Sequence, residues 1–315
     1  MDNNNPNVQL FHSNVYNILN QHRFNAHCVL TDPPYAMGEN GFMSYEWDKR
    51  SPAMDPEFWK LLSDNLLPGA IVLCFSSNLK AHKIIAAAEQ NSFELLNTIV
   101  WARSTTLKMG RSHPEYPNYK TGKQAIRPGH EIILVLQKSP GGLSQTACLS
   151  QYGTGGFNQN AADTLKYNVI TQNKHSIPQI HPFYSTESPD AIPDVVYVPK
   201  ASRRERDEGL HDLPVDNYGI YQITRQGPKP VYRKNPHPTV KPLALTRFLA
   251  QLIVPPPTFQ STLLVPFAGT GSEMIGGITA GFYNVYGIEI EEQYVEVARQ
   301  RIEHFTGAQC KITPG

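Results

Sequence analysis

Short apolar segments alternate with segments of helical periodicity in both the first and the last part of the chain, and this alternation constrains the fold more than any other feature. The predicted strands are 27–31, 70–75, 96–101, 131–137, 262–265 and 284–288. The predicted helices begin at Asp55, near 79, after Pro242 and near Tyr294, and a further helix lies between the strands 262–265 and 284–288. The first two are expected to end near Pro68-Gly69 and 90. Strands and helices in this order form a mostly parallel sheet with helices on both faces. The sequence therefore predicts a doubly wound α/β fold.

Residues 140–235 interrupt this pattern. They are rich in Gly, Pro, Asn and polar residues and contain few periodic segments. A loop of this length without any structure is implausible in a compact domain. We therefore expect an irregular inserted domain and divide the chain into 1–139, 140–235 and 236–315.

Charge is distributed unevenly although the net charge is only +1. The net charge alone gives no argument for a polyanionic partner, so such an argument must come from local patches. Basic residues outnumber acidic ones in 101–138 and again in 199–241. A basic face on a nearly neutral molecule is typical of nucleic-acid binding, and solvated loops are the alternative. The candidate phosphate-binding residues are Arg103, Lys108, Arg111, Lys120, Lys123, Arg127, Lys200, Arg203, Arg204 and Arg206.

Two classes of protein are disfavoured by absent patterns. No apolar run approaches the ~18 residues that a membrane-spanning helix needs, and the first residues lack the basic and apolar regions of a secretion signal. The four cysteines never form a CxxC pair, so neither a disulfide framework nor a thiolate metal site is expected. We expect a cytoplasmic protein without a metal.

A glycine-containing turn follows the predicted strand at 262–265. Two glycines between a strand and a helix let the backbone approach a nucleotide-like ligand closely. Glu289, at the end of the next strand, stands where a carboxylate accepts hydrogen bonds from ribose hydroxyls. A dinucleotide fingerprint requires a third glycine where this chain has Met274, so NAD is disfavoured, and a plain structural turn is the alternative. The residues of this turn are Phe267, Ala268, Gly269, Thr270, Gly271 and Ser272.

A second candidate site is the tetrapeptide Asp32-Pro33-Pro34-Tyr35, which directly follows a predicted buried strand. A residue before proline is extended, and neither proline has an N–H, so the segment presents rigid carbonyl acceptors beside one carboxylate. Two adjacent acceptors suit an exocyclic NH2 group, and Tyr35 offers a face on which its ring stacks. A base reaches such a pocket only when it is flipped out of the duplex. A proline-rich turn is the alternative.

Taken together, the motifs resemble those of the beta-class amino-methyltransferases, which use S-adenosylmethionine to methylate adenine N6 or cytosine N4 in DNA. The motifs also follow the order of that class, with the catalytic motif first, then target recognition, then the cofactor motif. The four main motifs are DPPY (32–35), HPTVKP (237–242), PFAGTGS (266–272) and GIEI (287–290). Similar stretches are Trp47-Asp48, His130-Glu131, YGTGGFN (152–158) and KASRRER (200–206), the last typical of a phage and bacterial subgroup.

The resemblance implies a Rossmann-like methyltransferase sheet interrupted by a target-recognition domain at 140–235. It implies catalytic roles for Asp32, Pro33, Pro34 and Tyr35. It implies that Lys241 faces the carboxylate of the cofactor. The implied cofactor-binding residues are Asn14, Asp32, Thr239, Lys241, Phe267, Gly269, Thr270, Gly271, Ser272 and Glu289.

Two positions depart from the class pattern. Val265 stands where aspartate is frequent, and Ser13-Asn14 replaces a usual Gly-Asp pair. These changes affect expected cofactor affinity more than chemistry. They are also the only support for an alternative, a DNA-binding protein of the same fold with impaired catalysis.

The resemblance favours adenine N6 as the target, because cytosine-N4 enzymes more often have Ser where this chain has Asp32. Cytosine N4 stays open as an alternative, and so does an RNA substrate. The implied partner is double-stranded DNA with a flipped base, in the cytoplasm of a bacterium or a phage-infected host. A homodimer and a cognate restriction nuclease are left open.

Overall fold

The computed structural model describes residues 5–36, 46–103, 111–121, 129–161, 192–215, 221–224 and 227–315. The helices are α1 (Val15–Gln21), α2 (Pro56–Asp64), α3 (Ala81–Glu89), α4 (Gln145–Tyr152), α5 (Arg203–Asp207), α6 (Leu243–Ile253), α7 (Ser272–Ala280) and α8 (Glu292–Thr306). Within these ranges, none of the helices combines the length and the apolar character that crossing a bilayer requires.

The strands form one large sheet and two small hairpins within the described ranges. The large sheet has the order β13-β1-β12-β11-β2-β3-β7-β4-β8. Neighbouring strands are parallel except for β7, which is antiparallel to both β3 and β4. The strands are β1 (Asn7–His12), β2 (Ala26–Thr31), β3 (Leu66–Ser76), β4 (Phe93–Ala102), β5 (Arg111–Ser112), β6 (Lys120–Thr121), β7 (His130–Lys138), β8 (Val195–Tyr197), β9 (Tyr221–Thr224), β10 (Gly227–Pro230), β11 (Thr262–Val265), β12 (Asn284–Glu289) and β13 (Cys310–Pro314).

Both faces of the sheet are covered by helices, which confirms the predicted doubly wound α/β class. All six residues of β2 are buried. Their side chains alternate between two cores, because successive residues of a strand point to opposite faces. Cys28 and Leu30 pack in the core beneath α6, α7 and α8. Val29 packs in the core beneath α1, α2 and α3.

The first predicted helix begins as expected and ends earlier than expected. Asp55 caps α2 by accepting a hydrogen bond from the Glu57 N–H. The prediction that this helix continues to Pro68-Gly69 was wrong. The amide of the buried Asn65 instead donates to the carbonyl oxygens of Leu19 and Leu61, 2.8 and 2.9 Å away, and the chain enters β3 at the next residue.

The described parts of 140–235 contain regular elements and contribute to the main core. Strand β8 pairs with β4 at the edge of the sheet. Beyond α4, the Thr154 hydroxyl donates to the carbonyl oxygen of Pro68 at 2.6 Å. The boundaries at 139 and 235, and a separate recognition domain between them, stay predictions.

Candidate active site

A cavity of about 1500 Å³ opens at the carboxyl edge of the sheet. The carboxyl ends of β1, β2, β11 and β12 meet there, and so does the first part of the antiparallel β7. Ligands of open α/β sheets bind at this edge. Of the residues expected to be catalytic or to bind a cofactor, those lining the cavity are Asn14, Asp32, Pro33, Pro34, Tyr35, Thr239, Lys241, Phe267, Gly269, Thr270, Ser272 and Glu289.

Asp32 directly follows β2 and is engaged through both carboxylate oxygens. Its Oδ1 accepts a hydrogen bond from the Tyr35 hydroxyl at 2.9 Å. Its Oδ2 pairs with Lys241 Nζ. Burial raises the pKa of Asp32, Lys241 opposes this effect, and Glu131 adds to it. Two motifs 209 residues apart in sequence therefore meet at one carboxylate.

Glu131 is a second carboxylate in the same cluster. Its Oε1 lies 2.9 Å from Arg103 Nη1. Its Oε2 lies 3.3 Å from the Tyr35 hydroxyl and 3.8 Å from Lys241 Nζ. Arg103 and Lys241 thus balance the charges of Asp32 and Glu131 in a largely buried group.

Asp48 holds the backbone of the DPPY segment. The buried Asp48 Oδ1 accepts hydrogen bonds from the N–H groups of Tyr35 and Ala36, at 2.8 and 3.0 Å. Ala36 has a φ of 50°, a conformation that L-residues seldom adopt without such support. The carboxylate therefore turns the chain immediately after Tyr35.

The glycine turn is tied to the end of the neighbouring strand. Gly269 has a φ of 50° and donates its N–H to Glu289 Oε2 at 2.7 Å. Oε1 of the same carboxylate accepts from the Glu291 N–H at 2.9 Å. Burial raises the pKa of Glu289 to about 7, against the opposing effect of these N–H groups. Gly271 is not among the cavity-lining residues, and a Cβ there would lie 3.2 Å from Ile302 of α8.

Two charged side chains next to the glycine turn, Arg301 and Glu273, were not identified from the sequence as site residues. Arg301 is fully buried, and its Nη1 donates to Thr270 Oγ1 at 3.1 Å and to Ser272 Oγ at 3.2 Å. Glu273 lines the cavity, and burial raises its pKa to about 7. A signal for Arg301 exists, since it stands one helical turn from Ala298 and Phe305, on the apolar face of the last helix.

The HPTVKP segment lies across the same cavity. The His237 ring is stacked with Trp47 at a centroid distance of 5.7 Å and meets Tyr294 edge-on at 4.7 Å. Burial, with Lys241 and Arg206 nearby, lowers the pKa of His237 to about 3. The neutral ring accepts the Thr239 N–H through Nδ1 at 3.2 Å.

The residues expected to contact phosphates occupy different environments. Arg103 lines the cavity and is ion-paired with Glu131. The Arg206 guanidinium donates to the carbonyl oxygens of His237 and Pro238. Lys200 lines the cavity. Lys120, Arg203 and Arg204 are exposed. Lys108, Lys123 and Arg127 lie outside the described residues, and the side chain of Arg111 is likewise not described.

Asn14 has a structural role in addition to its place at the cavity. Its Oδ1 accepts the Tyr16 N–H at 2.9 Å and so caps α1. Asparagine and aspartate cap helices about equally well. The capping role of Asn14 would therefore be filled equally by the aspartate that is usual at this position in the class.

A family model described as DNA methylase matches residues 26–300 of the chain. This range includes the DPPY segment, the HPTVKP segment, the glycine turn and Glu289. No curated protein matches the sequence.

Two solved structures are similar over almost the whole chain. One is a protein from Thermus thermophilus, assigned as a candidate DNA modification methylase and complexed with S-adenosyl-L-methionine. It is 17% identical, with 98% of each chain covered and a TM-score of 0.53. The other is the cytosine-N4-specific PvuII DNA methyltransferase, 12% identical, with 98% of this chain and 97% of that chain covered and a TM-score of 0.55. At these identities the similarity shows a shared fold.

Proposed function

Because the chain belongs to the N6/N4 DNA methylase family, we propose that it transfers a methyl group from S-adenosylmethionine to the N6 amine of adenine in double-stranded DNA. The observation that carries this proposal is the position of Asp32. The DPPY segment opens into the same cavity as the glycine turn and Glu289. A base amine and a nucleoside cofactor can therefore be bound side by side.

The residues present fit S-adenosylmethionine. Each oxygen of Glu289 already accepts one backbone N–H and keeps capacity for another donor, which suits the two hydroxyls of a ribose. Lys241, which lines the same cavity, supplies an ammonium for a carboxylate. Pockets of about 300 to 1000 Å³ hold a single drug-sized ligand, so 1500 Å³ is room for the cofactor and a flipped base.

When bound, S-adenosylmethionine supplies an electrophilic methyl group. The protein's contribution is to hold the amine nitrogen in line with that group. Asp32 and the Pro33 carbonyl oxygen accept the two amine hydrogens, which draws the nitrogen toward sp3 geometry and frees its lone pair. The Tyr35 ring stacks on the base. Once nitrogen has formed its new bond it carries an acidic proton, and Asp32 Oδ1 accepts that proton.

Adenine is proposed over cytosine because Asp32 occupies a position where cytosine-N4 enzymes more often have Ser. Mass spectrometry of nucleosides from the DNA of cells that express the protein distinguishes the two. N6-methyladenine is expected, and N4-methylcytosine alone would assign the enzyme to the other target.

A test of the site compares Asp32→Asn and Asp32→Ala with Asp64→Asn, which changes an exposed aspartate outside the cavity. We expect both Asp32 variants to lose methyl transfer while the dissociation constant for S-adenosylmethionine, measured by calorimetry, changes only a few-fold. Asp64→Asn should retain both properties. Wild-type turnover by an Asp32 variant would remove DPPY from the catalytic assignment. A wild-type protein that binds DNA without binding the cofactor would instead support the catalytically impaired alternative.

A further inference from the structure

Tyr35 has one hydroxyl hydrogen and two carboxylate acceptors within reach. The hydroxyl oxygen lies 2.9 Å from Asp32 Oδ1 and 3.3 Å from Glu131 Oε2. One hydrogen makes one strong hydrogen bond at a time. In this arrangement the shorter distance assigns that hydrogen to Asp32.

The proposed reaction weakens this hydrogen bond, because the target amine becomes a second donor to Asp32 Oδ1 and that oxygen then takes its proton. Oδ1 is the oxygen that faces the amine, since Oδ2 carries the ion pair with Lys241. Hydrogen bonds in which both partners are charged are stronger than those in which one partner is neutral. The incoming amine therefore displaces the neutral Tyr35 hydroxyl more readily than the Lys241 ammonium.

Glu131 is built to receive the displaced hydroxyl. The ion pair with Arg103 fixes its carboxylate, and the side chains of this pair are only 9% and 16% exposed. Its position at the start of β7, a strand paired on both sides, fixes its backbone. A small rotation of the Tyr35 hydroxyl toward Oε2 then replaces the lost partner and leaves no polar group of Tyr35 unpaired.

We propose that Glu131 is a positioning residue that accepts the Tyr35 hydroxyl when the target amine occupies Asp32 Oδ1. This inference rests on the proposed function and adds a second carboxylate to it. Glu131 acts through Tyr35 and need not touch the base or the cofactor. Without it, the hydroxyl competes with the amine for Asp32.

The test is a double-mutant cycle between Glu131→Gln and Tyr35→Phe. Glutamine keeps the shape of Glu131, and its carbonyl oxygen is drawn to Arg103, so its NH2 group replaces the acceptor facing Tyr35. Phenylalanine keeps the stacking ring and removes the competing hydroxyl. Glu94→Gln, an exposed carboxylate on β4, is the control for loss of one negative charge and should leave kcat unchanged.

We expect Glu131→Gln to lower kcat roughly tenfold in the wild-type background, the scale of one lost hydrogen bond to a charged group. The dissociation constant for S-adenosylmethionine should change by less than about threefold, because the 3.8 Å contact between Glu131 and Lys241 is weaker than the ion pair that Lys241 keeps with Asp32. In the Tyr35→Phe background, Glu131→Gln should lower kcat by less than about threefold, since no hydroxyl is left to change its partner. Thermal unfolding of each variant checks that the fold is retained, and Glu131→Asp, which keeps an acceptor, should recover part of the loss.

An equal loss of kcat on Glu131→Gln in the two backgrounds would overturn the inference while leaving the proposed function in place. An unchanged kcat with weaker binding of S-adenosylmethionine would overturn it as well. Absence of methyl transfer by the wild-type protein would overturn the proposed function, and the inference with it.

Discussion

The Glu289 carboxyl group combines two opposing influences. Backbone N–H groups favour its charged form, whereas burial at 8% exposure disfavours it, and the balance raises its pKa to about 7. Near neutral pH the group is thus divided between a protonated and an ionised form. Only the ionised form accepts hydrogen bonds through both oxygens without carrying a hydrogen of its own.

We therefore predict that affinity for S-adenosylmethionine rises as pH increases from 6 to 8. The raised pKa means that the protonated form dominates below about 7, where one acceptor site is lost, and the ionised form dominates above it. Glu289→Gln should remove most of this pH dependence and weaken binding at pH 8 by about tenfold or more, as expected for a lost charged hydrogen bond. Calorimetric titrations at pH 6, 7 and 8 measure both effects.

The control for this prediction is Glu292→Gln, an exposed glutamate in the first turn of α8. It should keep the affinity and the pH dependence of the wild-type protein. A dissociation constant that does not vary with pH in the wild-type protein would contradict the role given to Glu289.

The individual residues of the site could be predicted from the sequence, whereas the side chains with which they form ion pairs and hydrogen bonds could not. Asp32, Tyr35, Lys241 and Glu289 were identified because each stands in a motif next to a strand or a helix start. The pairing of Lys241 with Asp32 was not predicted, because it joins sequence-distant segments that meet only in the folded sheet. The sequence groups Arg206 with exposed arginines, since nothing in a run of basic residues marks the one whose guanidinium binds the backbone of the HPTVKP segment.

At the scale of elements, α6 and α7 approach each other closely enough to exclude a side chain. A Cβ at Gly276 would lie 2.6 Å from the backbone carbon of Thr246. The Thr246 hydroxyl also donates to the Ser272 carbonyl oxygen at 2.9 Å. Lys241 stands just before α6 and the glycine turn just before α7, so this contact sets the distance between the two parts of the site.

We predict that Gly276→Ala lowers the free energy of unfolding by about 1 to 3 kcal/mol, because the new methyl group must push the two helices apart. It should also weaken cofactor binding by moving the glycine turn relative to Lys241. Urea unfolding and calorimetry measure the two effects. Thr279→Ala, at an exposed position of the same helix, should change stability by no more than about 0.5 kcal/mol. An unchanged free energy of unfolding in Gly276→Ala would show that the helices can separate at no cost.

Strand existence could be predicted from sequence because buried strands consist of continuous apolar residues, as in β2 and β11. The ends of elements were less predictable where a polar side chain decides them, as Asn65 does after α2. Strand β8 was not predicted, because three residues carry no periodicity and its place in the sheet depends on pairing with β4.

At the scale of the whole molecule, a net charge of +1 is too small to attract DNA, so binding depends on local basic side chains. Arg204 is the clearest candidate among the described arginines: its side chain is 88% exposed and lies 3.7 Å from Glu208, a surface pair of little energetic weight. Arg206, in contrast, is committed to the backbone of the HPTVKP segment.

We predict that Arg204→Ala weakens binding equally on cognate and scrambled duplexes and reduces the slope of log K against log salt by about 0.9, the value for one phosphate contact. Arg206→Ala should leave the slope unchanged and lower thermal stability, because two carbonyl oxygens lose their donor. Binding measured over a salt series separates the two variants. A loss confined to the cognate duplex would make Arg204 a base-reading residue instead.

The position of β2 between β3 and β11 also governs when the protein can become active during its synthesis. Asp32 leaves the ribosome long before Lys241, which follows 209 residues later. At a synthesis rate of roughly 5 to 20 residues per second, Lys241 is added on the order of 10 to 40 seconds after Asp32. Until β11, which is made later still, has been synthesised, one flank of β2 is an unpaired apolar edge that can pair with another chain. The nascent protein therefore passes through an interval in which it cannot yet methylate DNA and is most prone to aggregate.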